Sequence, residues 1–278
     1  MHTYPPTRTV DQVDDYHGTK VADPYRWLED ADSEETQAWK KAQMAITRAY
    51  LRKPAWQKLK ARTEELQRVE RYSDARQVAG RIFFLHHDGV LNQPRLMAVP
   101  VDQAQAEAQV VLDPNTFSKD GTIAMSSWKV SPDGKLLAYA RSEGGSDQQI
   151  IRVRDLSRGQ DLPETLRNCK FSHVDWKRDG SGFYYNRYPD PEGKSVVEQH
   201  QNNKLYFHVP GQAQADDRLV FAAQDPDLLL MGVCSEDGRY LLIYGFRGTS
   251  PRNLVWVKDL HSQGPPLALF AAEDAKYS

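Results

Sequence analysis

Residues 128–156, WKVSPDGKLLAYARSEGGSDQQIIRVRDL, carry the pattern that decides the fold. A short strand over 128–130 runs into Ser131-Pro132-Asp133-Gly134, whose Asp-Gly pair tolerates the positive φ of a tight hairpin. Residues 135–141 then alternate polar and apolar as a half-buried strand does, and a third strand over 149–156 follows a glycine-containing loop. The plan returns 104 residues later, where Asp237-Gly238 matches Asp133-Gly134 and Asp259-Leu260 matches Asp155-Leu156. Between the two copies, DWKRDGSGFYYNRY supplies Asp179-Gly180, so the period is about 50 residues, the scale of stacked or radially arranged repeats.

Working outward, this period divides the chain beyond residue 71 into four strand-rich units, over about 72–118, 124–168, 170–222 and 228–274. The first is atypical: its strands are expected at 82–85, 95–99 and 110–112, with Ala79-Gly80 where the others carry Asp-Gly. The second adds an outer strand near 164–167, and the third carries an insertion, PDPEGKSVVEQHQNN, at 189–203. A propeller removes its open sheet edges by closing into a ring, and after the fourth unit only AAEDAKYS remains. An unfinished arc is therefore expected rather than a closed four-bladed ring. The fold class is mainly β, an incomplete β-propeller preceded by an α-helical segment.

That segment, residues 1–71, has a different character and shows no paired strand signals. Pro5-Pro6 hold an extended arm, and Asp23-Pro24 read as a helix start with proline in the first turn. Ser33 caps a helix bearing Trp39, Met44, Ile46 and Tyr50 and ending at Pro54, and a second helix over 55–71 carries Trp56, Leu59, Leu66 and Val69. Tyr25, Trp27 and Trp39 form aromatic surfaces that call for a larger partner.

Composition excludes several classes. The 278 residues are 40% hydrophobic and 27% charged with a formal net charge of −2, which provides no field to draw in nucleic acid or an anionic membrane. The opening MHTYPPTRTV lacks the apolar run of a signal peptide, no stretch approaches a membrane span, and Cys169 and Cys234 suit a reducing compartment as small apolar fillers. A cytoplasmic location is the expectation.

The strings YHGTKVADPYRWLED, KFSHVDWKRDGSGFYYNRYP, HQNNKLYFH and MGVCSEDGRYLL together resemble the N-terminal part of the prolyl oligopeptidase family of serine peptidases, over essentially the whole chain. The oligopeptidases that cleave after basic residues match less well, departing from WLED and the KFS and DW strings. The resemblance implies a seven-bladed propeller, of which about four blades are present here, set between the N-terminal segment and a C-terminal α/β-hydrolase domain. It implies that the N-terminal segment packs on that domain, and that short proline-containing peptides are hydrolysed after proline while the propeller gates their access. It also implies substrate-binding roles for Phe171 and Met231 against the third residue upstream of the cut. An aromatic plate and a flexible thioether suit such a surface, although both residue types are equally at home in a core. Thr249 stands where family members can carry cysteine, which leaves the third contact open.

No catalytic residue is expected in the chain itself. A serine hydrolase of this type needs a G-x-S-x-G elbow, and the nearest string, Glu143-Gly-Gly-Ser146-Asp147, lies in a hairpin loop. The histidines and the two cysteines lack metal-ligand spacing, and neither G-x-G-x-x-G nor G-K-[ST] occurs, so no metal or cofactor is expected. Two function classes remain: the non-catalytic N-terminal part of a proline-specific oligopeptidase, or a stand-alone propeller module that binds a peptide or protein. The helical segment, shaped to cover a second domain, favours the first.

Overall fold

The computed structural model describes residues 4–103, 107–190, 193 and 198–278. Within it the chain divides into two compact units, residues 1–69 and 70–278. No described helix is long and apolar enough to cross a membrane.

The first unit opens with a hairpin that sequence reading did not anticipate, β1 (Val13–Tyr16) against β2 (Thr19–Ala22). Its two-residue turn is His17-Gly18, both at positive φ, and because nearly every residue of the hairpin is exposed it shows no apolar alternation to betray it. The expected helix after Asp23-Pro24 is only a 3₁₀ turn, Arg26–Glu29. Asp23 accepts from Arg26 Nε at 2.6 Å, which holds a tight turn rather than extending a helix. Ser33 does cap α1 (Glu34–Leu51), its hydroxyl accepting from Thr36 N at 3.3 Å. Pro54 sits in the first turn of α2 (Pro54–Gln67), as its fixed φ allows. The aromatic surfaces are partly answered within the unit, since Trp27 donates to the Arg8 carbonyl and Trp39 to the Thr7 hydroxyl, each at 2.9 Å. Helix α2 buries none of its residues, and Leu59 and Leu66 stand exposed.

The second unit holds four sheets. The first is β3 (Arg71–Val78), β4 (Arg81–His87), β5 (Arg95–Pro100) and β6 (Gln109–Leu112). Here the expected helix over 55–71 stops at Gln67, and β3 adds a strand ahead of those expected in the first unit, without a sequence signal because RYSDARQV is charged and mostly exposed. The second contains β7 (Ile123–Val130), β8 (Leu136–Glu143), β9 (Gln148–Asp155), β10 (Gln160–Asp161) and β11 (Leu166–Lys170), the last two both pairing with β9. The third is β12 (Asp175–Trp176), β13 (Phe183–Arg187), β14 (Lys204–His208) and β15 (Arg218–Ala222). Of the insertion at 189–203, residues 191–192 and 194–197 lie outside the described residues. The fourth is β16 (Leu228–Cys234), β17 (Tyr240–Arg247), β18 (Asn253–Asp259) and β19 (Leu267–Phe270). All are antiparallel meanders in chain order, the blades of an incomplete β-propeller.

Three apolar clusters fill the spaces between successive blades. Phe83 and Leu96 meet Trp128 and Leu137; Ile151 and Leu166 meet Trp176 and Phe183; Tyr184 and Leu205 meet Leu230 and Ile243. The aspartate-glycine turns stack in the same order. Gly134 lies at φ +71°, and a Cβ there would sit 2.7 Å from the Ala79 Cβ of the preceding turn. Gly238 repeats this at φ +73° against the Arg178 Cβ at 2.9 Å. Glycine is thus required both by the turn and by the neighbouring blade. Within the turn Ser131 Oγ donates to Asp133 Oδ1 at 2.7 Å, and Ser235 does the same for Asp237 at 2.5 Å.

At the other end of the blades an amide side chain near the start of each third strand reaches the next blade's first strand or its approach. Gln93 Nε2 donates to the Ile123 carbonyl at 2.7 Å, Gln149 Oε1 accepts from Ser172 N at 2.9 Å, and Asn203 Oδ1 accepts from Leu230 N at 2.9 Å. Asn253 makes the corresponding pair with the backbone of Tyr277, at 2.7 and 3.1 Å.

Between these two sets lies Asp175, 1% exposed on β12. One oxygen accepts from Cys234 N on β16 at 2.8 Å and the other pairs with Lys129 Nζ on β7 at 3.1 Å, so one carboxylate joins three blades. Its removal leaves a buried N–H without an acceptor and Lys129 without its counter-ion. Asp175→Ala is expected to lower unfolding stability by about 2–4 kcal/mol, read from urea denaturation, and Lys129→Met to lower it by a similar amount, because it leaves the buried carboxylate without its counter-ion.

Candidate functional site

In a four-stranded meander the loop between the second and third strands and the connection to the next blade emerge at one end, opposite the aspartate-glycine turns. Phe171 stands at that end, directly after β11. It is 54% exposed with φ +49°, so it is not a core residue. Its flanks are fixed: Ser172 Oγ donates to the Asn186 carbonyl at 2.8 Å, and His173 N donates to Asn186 Oδ1 at 3.0 Å. A left-handed phenylalanine held out by an anchored backbone is costly unless the ring has something to cover.

Lys170 gathers the loops beside it. Its ammonium lies 5.4 Å over the Phe171 ring, 3.0 Å from His200 Nε2 and 3.8 Å from Asp147 Oδ2. The last two come from the second-to-third-strand loops of the third and second blades. Next to this cluster is a cavity of about 660 Å³ whose lining includes Arg141, Glu143, Arg167 and Tyr188. Its size is that of a small-molecule or short-peptide site.

The other two candidates lie on the fourth blade. Met231 is half-buried in mid-β16 opposite Tyr244, on the face turned away from the core shared with the third blade. Thr249 is exposed in the β17–β18 loop, at the same end of its sheet as Phe171 is of its own, and its hydroxyl makes no hydrogen bond among the described residues. No ring contact or hydrogen bond joins Phe171, Met231 and Thr249 to one another among the described residues; each stands on its own element. Sequence reading did not single out Lys170, His200 or Asp147, which are far apart in the chain and meet only through blade packing.

The chemistry of the remaining polar groups is structural. Ser146 turns its loop, its N–H donating to the Glu143 carbonyl at 2.9 Å and its Oγ accepting from Gln148 N at 3.1 Å. A buried histidine–carboxylate pair, His208 Nδ1 to Asp217 Oδ1 at 2.7 Å, is wholly enclosed, with Tyr185 donating to the other Asp217 oxygen and Glu164 at 3.8 Å from Nε2. It reaches no substrate-sized opening and holds no nucleophile. Burial pushes the thiols of Cys169 and Cys234 up to about 12, so neither is a thiolate at neutral pH.

The chain is similar to known proteins along nearly its whole length. Residues 5–278 match the family model of the prolyl oligopeptidase N-terminal beta-propeller domain. The chain is 34% identical over 263 residues to the prolyl endopeptidase of Elizabethkingia miricola, covering 94% of this chain and 37% of that protein. Against the dual function macrocyclase-peptidase of Amanita bisporigera it is 32% identical, covering 95% and 40%. Among solved structures, a prolyl endopeptidase aligns with TM-score 0.86 at 32% identity, over 98% of this chain and 40% of that one. Prolyl oligopeptidase B from Galerina marginata, bound to a 35mer hydrolysis and macrocyclization substrate, aligns with TM-score 0.77 at 32% identity, over 94% and 39%. The chain spans about two fifths of the length of these relatives. By sequence and by fold, it belongs to the prolyl oligopeptidase family, of which it comprises the N-terminal segment and part of the β-propeller.

Proposed function

We propose that this chain is the non-catalytic part of a proline-specific serine oligopeptidase, its propeller limiting access of short proline-containing peptides to an α/β-hydrolase domain that carries the nucleophile, base and oxyanion donors. The observation that carries the reading is the exposed, backbone-anchored Phe171, positioned at the blade end with Lys170 and the loop cluster around it. The exposed apolar residues of the N-terminal unit, among them Met44, Leu59 and Leu66, supply a surface for that second domain. Phe171 and Met231 cover the side chain of the third residue upstream of the cut, with Thr249 at the margin. Two buried, unpaired cysteines suit the cytoplasm.

Acyl transfer requires a nucleophile, a base and oxyanion donors acting together, and no described residue here fills these roles. The 278-residue chain is expected to be inert toward a proline-containing fluorogenic peptide and toward a fluorophosphonate probe, and to gain activity when a C-terminal hydrolase half is supplied. Labelling of a serine in this chain, with turnover lost on its replacement, would refute the reading; tight peptide binding with no gain of activity would favour the stand-alone module.

In an enzyme carrying both halves, Phe171→Ala is expected to lower kcat/KM about tenfold for peptides with a bulky third upstream residue, equivalent to 1–2 kcal/mol of contact. Substrates that end at the second upstream residue should be almost unchanged. Equal losses on both would show that Phe171 acts only through the blade.

A further inference from the structure

Beside Phe171 stands Lys170, whose side chain is only 17% exposed. An ammonium that has lost most of its water is costly unless its charge is answered, and among the described residues the answer is incomplete. His200 Nε2, at 3.0 Å, supplies a lone pair and no opposite charge, since an ammonium has only donors and the ring nitrogen has to accept. The carboxylate that Lys170 meets is Asp147, at the longer distance of 3.8 Å. The Asp147 side chain is 55% exposed, so water screens it far more than it screens the lysine. A positive potential is left over.

The Phe171 ring lies in that potential, with the ammonium over one of its faces at 5.4 Å. A ligand side chain is left the other face and the edge. A ring already polarised by one cation is a poor seat for a second, and a negative group brought near it gains from the charge behind. The neighbouring cavity of about 660 Å³ has the same sign: the charged residues in its lining are Arg141, Arg167 and Glu143, two cations to one carboxylate. Neither arginine makes an ion pair among the described residues.

We infer that Lys170 makes this surface select by charge, accepting an acidic or neutral residue at the third position upstream of the cut and rejecting lysine or arginine there. That the ligand is a peptide cut after proline rests on the function proposed above; the sign of the selection follows from the charges around Phe171.

The test uses an enzyme carrying both halves and three fluorogenic peptides, acetyl-X-Ala-Pro, with X glutamate, leucine or lysine. Two unit charges about 8 Å apart at a partly wetted surface change a rate constant about fivefold, in opposite directions for the two signs. The wild-type ratio of kcat/KM for glutamate over lysine is therefore expected to be about tenfold or more. It should fall about tenfold in Lys170→Gln and be kept in Lys170→Arg, with the leucine peptide changed little. A purely structural role for Lys170 would lower all three peptides together; only its charge moves them apart. Should the glutamine variant not fold, raising the salt from about 0.05 to about 0.5 M gives the same reading on the wild type, where the ratio should shrink about threefold. A wild-type ratio near one or in favour of lysine, a ratio indifferent to Lys170→Gln, or glutamine and arginine variants that behave alike would overturn the inference. In those cases cleavage after proline continues, so the oligopeptidase reading stands; an enzyme that does not cleave after proline removes both.

Discussion

The carboxylate of Asp175 is the constraint on which the rest of the propeller depends. A buried charge is tolerated only when paired and hydrogen-bonded, and its two partners lie on different blades, Lys129 before it and Cys234 after it. Each blade is a meander whose faces cannot be covered from within, so its stability comes from its neighbours. The apolar clusters supply most of that cover but are tolerant of small slips. The carboxylate is not, because its acceptor geometry fixes the first strands of three blades in one register. Stacked aspartate-glycine turns at one end and amide straps at the other carry the same register outward.

That rigidity is what lets exposed residues have a function. Phe171 can hold a left-handed conformation and face solvent because Asn186 and Gln149 fix the residues after it from two different blades. Lys170, His200 and Asp147 are brought together by the same packing. The charge that this cluster leaves unanswered lies over one face of the Phe171 ring, where it acts on whatever the ring covers.

The repeat itself was legible because the Asp-Gly turn is a local demand: Gly134, Gly180 and Gly238 all take φ near +70°, which few other residues accept. What escaped reading was structure without a buried face. The β1–β2 hairpin and β3 are mostly exposed, so their side chains follow no alternation, and β3 is absent from the strands expected for the first unit. Asp175 could not be picked out either, since nothing local distinguishes it from Asp179 four residues on, which serves only its own turn. For the candidate site, the resemblance pointed to Phe171, Met231 and Thr249, but whether Phe171 lies in the core or at the surface depends on a positive φ that no pattern in KFS reveals.

Native-state hydrogen exchange tests the coupling of blades through Asp175 most directly. In the wild-type chain the amides of β7, β13 and β16, together with Cys234 N, should exchange with a single common opening free energy, and in Asp175→Asn the fourth blade should open at a lower free energy while the first keeps its protection. Exchange of the fourth blade independently of the third in the wild type, or an unchanged common value in the variant, would contradict the account.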